Sequence, residues 1–139
     1  MLRHATATIL AFAFSAASAE DANEASPHVL CERHADALLS ALGEAKYDDA
    51  MADFDAALRA RYPAAKLKQD YEWLPSNYGT ALGRGRAHSA DVNGHTEVMT
   101  PLIFSNGTIT VDVRCDGAGA VTDLKLLPTQ TMGQPMIHP

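Results

Sequence analysis

Two cysteines, Cys31 and Cys115, are the residues whose chemistry the sequence defines best. Cys31 begins an apolar stripe at helical spacing and Cys115 ends a run of alternating apolar residues, so both thiols are expected to point into the core. In an oxidising compartment this arrangement predicts a disulfide that closes a loop of about 84 residues and contributes about 4 kcal/mol. Two unpaired buried thiols are the alternative, and the lack of a Cys-x-x-Cys motif argues against a redox enzyme.

A group of aromatic residues in the first half of the chain offers a second kind of chemistry. Their rings can line an apolar pocket while tyrosine hydroxyls orient a small ligand. Packing of helices onto a sheet is the commoner use of such residues. For ligand binding the sequence singles out Tyr71, Trp73 and Tyr78, and Tyr71 is expected to face the concave side of the sheet. The group consists of Tyr47, Phe54, Tyr62, Tyr71, Trp73 and Tyr78.

Histidines and acids do not form a recognisable catalytic or metal-binding set. None of the histidines after residue 19 stands four residues from another, as paired metal ligands on a helix do. Asp53, Asp55 and Asp112 are candidate acids, but Asp112 belongs to the polar side of its predicted strand and Asp55 is placed to cap a helix. We therefore predict no catalytic residues, no metal site and no cofactor.

The first nineteen residues have the layout of a secretory signal peptide. Arg3 gives a weakly basic start, residues 5–14 form an uncharged apolar run, and Ala17-Ser18-Ala19 offers a cleavage site. The apolar run is too short for a membrane span, which needs roughly 20 residues. We expect cleavage after Ala19, export to the periplasm or the exterior, and a flexible leader over residues 20–27.

The mature chain is predicted to be acidic. Of the 11 Lys and Arg residues only Arg3 lies in the predicted signal peptide, whereas all 17 Asp and Glu residues follow it. The acidity argues against nucleic acid or anionic lipid as a partner, because both attract basic surfaces. The roughly 120 remaining residues suit a single domain.

The first half of the mature chain is predicted to be helical. Ser26-Pro27 is a helix start, because serine can cap free N–H groups and proline suits the first turn. The apolar stripe that follows ends at Gly43 and consists of Cys31, Ala35, Leu38 and Leu42. Shorter helices are predicted over residues 47–52 and 54–61.

A further helix is predicted to begin at Pro63 and to end at Gly79. Its apolar positions recur at helical spacing at Leu67, Tyr71, Leu74 and Tyr78. Pro75 lacks a backbone donor and its ring crowds the preceding turn, so we expect a kink or an early end near Leu74.

The second half of the chain changes to the two-residue period of β-strands. The clearest strand covers residues 108–115, in which Ile109, Val111 and Val113 alternate with polar residues. Strands over residues 98–104 and 121–127 flank it, and Pro101 indicates an edge or a bulge in the first of them. A weaker strand is expected over residues 80–90.

The order of helices and strands predicts an α+β domain over residues 28–128. In it, N-terminal helices pack on a curved four-stranded antiparallel sheet. A flexible tail is expected over residues 129–139.

The stretch from Leu39 to Pro128 resembles the family catalogued as domain of unknown function 3887. The resemblance lies in "KYDDAMADFDAAL", "LKQDYEWLPSNYG" and the ending "VRCDGAGAVTDLKLLP". The family is similar to the nuclear transport factor 2-like, or cystatin-like cone, superfamily. The resemblance therefore implies a curved sheet and a helical layer that enclose a pocket, and it implies no activity.

These observations predict an exported, non-enzymatic binding or accessory module with an unknown small molecule or protein as partner. The alternative is a small-molecule isomerase or cyclase that uses a pocket carboxylate and Tyr71. A homodimer formed through the open face of the sheet is a further expectation, and Thr110 and Arg114 would then lie in the interface.

Overall fold

The computed structural model describes residues 25–129, which form four helices followed by five strands. The predicted signal peptide, residues 20–24 of the predicted leader and residues 130–139 of the predicted tail lie outside this part. The helices are α1 (Pro27–Gly43), α2 (Tyr47–Ala50), α3 (Ala56–Arg61) and α4 (Ala64–Tyr78). The strands are β1 (Ala81–Arg84), β2 (His88–Val92), β3 (His95–Phe104), β4 (Gly107–Cys115) and β5 (Val121–Pro128). This arrangement confirms the predicted α+β class.

The strands form one open antiparallel sheet in which β3 and β4 are central. β4 pairs with β3 on one side and with β5 on the other, so β5 forms an edge. β1 and β2 both pair with the opposite side of β3. The sheet has five strands rather than the predicted four, because residues 85–87 interrupt the strand expected over residues 80–90.

Pro101 lies within a central strand, opposite Thr110 of β4. Its carbonyl accepts a hydrogen bond from the Gly85 N–H at 2.8 Å, so its backbone faces the side of β3 that pairs with β1 and β2. The position falls between the residues of β3 that pair with β1 and those that pair with β2. The missing N–H of proline therefore costs no ladder bond, which explains how a proline is tolerated here.

The core lies between α1 and the inner face of β3 and β4. The predicted stripe of α1 is buried, and so are the predicted inward residues of β4. Burial of each large apolar side chain stabilises the fold by about 1.5–3 kcal/mol. The buried residues of these two stripes are Cys31, Ala35, Leu38, Leu42, Ile109, Val111, Val113 and Cys115.

Local signals set the helix ends. The Ser26 hydroxyl accepts from the Val29 N–H at 3.3 Å, and the Asp55 carboxylate accepts from the Leu58 N–H at 2.7 Å, which confirms both predicted caps. Gly79 ends α4 in the left-handed region with φ 83°. A Cβ atom at Gly79 would lie 2.1 Å from the Ser105 hydroxyl, so only glycine fits.

Helix α4 does not end near Leu74. It continues through Pro75 to Tyr78, and the Gly79 N–H donates to the Pro75 carbonyl at 3.0 Å. Pro75 stands in the last turn, so only the Tyr71 carbonyl loses its helical donor. Burial of Leu74, which is 2% exposed, holds this turn against the sheet.

The predicted disulfide is confirmed. The Sγ atoms of Cys31 in α1 and Cys115 in β4 lie 2.06 Å apart, and both residues are inaccessible to solvent. The bond joins the helical layer to the last residue of the central strand β4 across a sequence separation of 84 residues.

Replacing both cysteines by alanine, as Cys31→Ala with Cys115→Ala, should lower the free energy of unfolding by about 4 kcal/mol, because the unfolded chain regains the freedom of the closed loop. Urea unfolding followed by Trp73 fluorescence measures the loss. Dithiothreitol should destabilise the original protein by a similar amount and leave the double variant unchanged. Equal sensitivity of the two proteins to the reductant would contradict a stabilising bridge.

Candidate functional site

A groove of about 570 Å³ runs between α4 and β5. The helical wall carries Tyr62, Asp70, Trp73 and Tyr78, and Ile109, Leu124 and residues 125–128 line the side of the sheet. Its volume lies within the range of about 300–1,000 Å³ that is typical of small-molecule sites. The groove is therefore a candidate site for an apolar ligand.

Trp73 is the most exposed aromatic side chain of the groove, with 53% of its surface accessible. Its ring contacts the Tyr78 ring edge-on, with 6.0 Å between the ring centres. The Tyr78 ring packs in turn against Phe104 of β3, with 6.2 Å between the ring centres. These ring contacts support one side of the Trp73 indole and leave the rest of its surface in the groove. A supported and half-exposed tryptophan is typical of an anchor for a ligand or a partner.

Asp70 is the charged group of the helical wall, and its hydrogen bonds are supplied from within the chain. The Tyr62 hydroxyl donates to Asp70 Oδ2 at 2.5 Å, and the Lys66 ammonium donates to the same oxygen at 2.8 Å. Burial works to raise the pKa of Asp70, but these two hydrogen bonds outweigh it and hold the pKa below its usual value. The carboxylate is thus kept ionised, which does not suit a general acid.

Tyr62 is held in its protonated form. Burial, followed by the hydrogen bond to Asp70, raises the pKa of Tyr62 well above that of a free tyrosine. The Lys66 ammonium also lies 5.0 Å from the centre of the Tyr62 ring. The three side chains therefore form a hydrogen-bonded polar border at one side of the groove.

The structure brings two of the three predicted ligand-binding residues together. Trp73 and Tyr78 both line the groove, whereas Tyr71 lines a separate hollow beside Leu39 and Arg84. Two residues along a helix correspond to about 200°, so Tyr71 and Trp73 point to different sides of α4. The Tyr71 ring packs against Tyr47 at 6.5 Å, and no carboxylate in residues 25–129 hydrogen-bonds to its hydroxyl.

A hydrogen-bond chain around His28 has no signal in the sequence. His28 Nε2 lies 3.0 Å from the Ser89 hydroxyl, and His28 Nδ1 lies 3.0 Å from Asp91 Oδ1. The order hydroxyl, imidazole, carboxylate is that of a nucleophilic triad. The residues are contributed by α1 and β2, which are more than 40 positions apart in sequence.

Protonation argues against a nucleophilic serine at this position. The Ser89 hydroxyl lies 2.5 Å from Glu32 Oε1 and donates its hydrogen to that carboxylate. Hydrogen bonding to Asp91, together with the charge of Glu32, raises the pKa of His28 above its usual value, which disfavours the neutral base that a triad needs. Asp91 is 65% exposed, unlike the buried acid of a triad. The cluster therefore serves to fix the start of α1 against β2.

The His28 cluster should make stability depend on pH. Because the pKa of His28 is raised on folding, its contribution is complete below about pH 6.5 and is lost as the pH rises through the raised value. Urea unfolding between about pH 6 and 9 should show this loss, and the variant His28→Gln should show a flatter profile. His88→Gln, on the exposed outer face of β2, is the control. The same flattening in both variants would contradict a role specific to His28.

Asp112 lies on the outer face of the sheet, which no helix of the described residues covers. Its Oδ1 atom is buried and has no hydrogen-bond partner within the described part of the chain. Burial, with a smaller contribution from Glu97, raises the pKa of Asp112. Met99 and Leu127, which are 40% and 44% exposed, lie on the same face. Thr110 and Arg114 share it, and the homodimer expected through this face stays a prediction.

Replacing Asp112 by threonine should stabilise the protein by about 1 kcal/mol at pH 7, because the charged carboxylate lacks a partner for a buried oxygen. A raised pKa means that stability is lost as the pH rises through the value in the folded protein. The gain of Asp112→Thr should therefore vanish near pH 3, where both states are protonated. Urea unfolding at the two pH values measures the difference, and a gain that persists at low pH would contradict this cause.

The other two candidate acids have structural partners. Asp55 caps α3, and Asp53 lies 3.5 Å from the His34 imidazole.

Residues 25–129 contain no group of three or more His, Cys, Asp or Glu side chains arranged to hold a metal ion. The same residues include no helix that is both long and apolar enough to cross a bilayer.

Comparison of the chain with protein-family models, with curated proteins and with solved structures finds no match. The resemblance to domain of unknown function 3887 and to the nuclear transport factor 2-like superfamily therefore stays a prediction.

Proposed function

We propose that the chain is an exported, non-enzymatic binding module whose groove between α4 and β5 takes an apolar ligand. The observation that carries this proposal is the half-exposed indole of Trp73, held by Tyr78 and facing the apolar residues at the end of β5. When a ligand covers the exposed indole and leucine surface of a groove, the removal of that surface from water favours binding.

Two features support export to the periplasm or the exterior. The first nineteen residues have the pattern of a signal peptide. The Cys31–Cys115 bond is of the kind that persists in oxidising compartments. The chain should accordingly be recovered from the periplasm of a bacterial host with Glu20 as its first residue.

Among the described residues that line the groove, no pair of groups is arranged for acid–base catalysis. Asp70 is held ionised by the hydrogen bonds that Tyr62 and Lys66 donate to its Oδ2 atom, and Tyr71 belongs to a different hollow. No specific observation therefore favours the isomerase or cyclase over a binding role.

The neutral dye N-phenyl-1-naphthylamine should bind the mature protein and gain fluorescence, and it should quench the emission of Trp73, the one tryptophan of the chain. Trp73→Ala should weaken binding by about tenfold, which corresponds to about 1.4 kcal/mol. Titration of dye into protein measures both effects.

Leu82→Ala is the matched control for this experiment. Leu82 is also an exposed apolar side chain, with 66% of its surface accessible, but it lies on β1 away from the groove. Dye affinity in Leu82→Ala should equal that of the original protein. The absence of dye binding, or an equal loss in the two variants, would overturn the groove as the binding site.

A further inference from the structure

The ladder between β4 and β5 shows which residues of β5 direct their backbone N–H and C=O groups away from the sheet. The Thr129 N–H donates to the Thr108 carbonyl at 3.0 Å, so this residue faces β4. Successive residues of a strand direct their backbone groups to opposite sides, so Leu127 and Lys125 also face β4. Leu124 and Leu126 therefore direct their N–H and C=O groups away from the sheet.

The beginning of this edge is already extended by another segment of the chain. The Val121 N–H donates to the Asp53 carbonyl at 2.9 Å, and the Asp55 N–H donates to the Val121 carbonyl at 2.9 Å. Phe54 thereby forms a parallel bridge with Val121. The Arg61 guanidinium donates to the next carbonyl, that of Thr122, at 2.7 Å. The first residues of the edge thus have backbone or guanidinium partners.

From Leu124 onward, no backbone group of residues 25–129 outside β4 bonds to this edge. The Leu124 N–H is bonded only to the adjacent Asp123 carboxylate at 3.0 Å, but Leu124 is 6% exposed, so the accessible part of the edge begins after it, at Leu126. The open part of the edge is also the strand wall of the groove, opposite Trp73. Unpaired backbone groups of β5 therefore lie beside the groove. They follow along the same edge from the backbone pairing at Val121.

We propose that the ligand of the groove is an extended peptide segment of a partner protein, which adds to β5 as a further strand centred on Leu126. This inference rests on the proposed function of the groove. Main-chain hydrogen bonds would give affinity, and pockets for alternate side chains would give specificity.

The side chains of such a peptide can be assigned by register. Directly opposite residues of paired strands point to the same face. Peptide residues opposite Leu124 and Leu126, which are turned toward the helical layer, would enter the groove beside Trp73 and should be apolar. The peptide residue opposite Lys125, on the outer face, should be acidic, because the Lys125 side chain is 49% exposed and its ammonium has only the longer 3.6 Å contact with Asp123 within the described residues. The partner is thus an alternating apolar and acidic segment.

A second copy of this chain fits the edge less well. If Leu124 of one copy pairs with Leu126 of another, the two Lys125 side chains stand directly opposite each other. Like charges in that position are destabilising.

The test uses the mature protein and heptapeptides selected from a random phage-displayed library. Selected peptides should alternate apolar and polar positions and contain an acid. On addition of a synthetic selected peptide, hydrogen exchange by NMR should slow at the Leu126 amide by about tenfold or more. The Lys125 and Leu127 amides, which are already in the ladder, serve as internal controls and should change less.

Two variants separate the backbone from the side chain of Leu126. Leu126→Pro removes the outward N–H without removing a bond to β4, and should lose peptide affinity by about tenfold while keeping dye affinity within about twofold of Leu126→Ala. If Leu126→Pro does not fold, N-methylation of the peptide replaces it. Methyl groups on alternate peptide nitrogens should abolish binding, and those on the intervening nitrogens should not.

The outcomes distinguish this inference from the proposed function. If the dye binds the mature protein but the library gives no peptide that prefers this protein to the Trp73→Ala protein, the peptide inference is overturned. The groove then remains an apolar site. Peptide binding without slowed exchange at Leu126 would overturn strand addition. Slowed exchange at Leu126 in the peptide-free protein, together with a dimeric mass, would assign the edge to a second copy and overturn the inference. Failure of both dye and peptide would overturn the proposed function as well.

Discussion

The bond between Cys31 and Cys115 constrains where each helix can lie on the sheet. It holds α1 over the end of the sheet at which Cys115 pairs with Thr96 of β3 and with Val121 of β5. At the opposite end of the sheet the last turn of α1 lies beside Leu102 and Phe104, and the Tyr78 carbonyl of α4 accepts from the Asn106 N–H at 2.8 Å. Neither helix covers the far half of β5. The groove is the gap that remains between α4 and this half of β5.

The elements that could be predicted from sequence are those whose period and neighbours agree. In β4 each inward residue is apolar and each outward residue is polar, so local preference and burial favour the same strand. The disulfide was predictable for the same reason, because Cys31 and Cys115 each occupy the buried phase of a strongly periodic element. These predictions needed no knowledge of which elements become neighbours in the fold.

Features that depend on neighbours could not be predicted in this way. The division of residues 80–90 into β1 and β2 is decided by the partner strand β3, where the backbone of Pro101 faces the interval between them. The cluster of His28, Ser89 and Asp91 joins residues with no common spacing. The sequence does indicate that Trp73 faces outward, because this residue falls outside the apolar stripe of Leu67, Tyr71 and Leu74.

The edge of β5 carries several features that limit aggregation at an unpaired strand. An unpaired edge invites aggregation, and proteins limit that risk with charges, proline, bulges or covering segments. Here the segment containing Phe54 covers the start, a register shift lies between Arg114 and Cys115 of the neighbouring strand, and Pro128 removes a donor at the end. Lys125 adds a charge beside Leu126. Because both flanks of Leu126 are protected in this way, the accessible part of the edge is short, and it lies across the groove from the indole of Trp73.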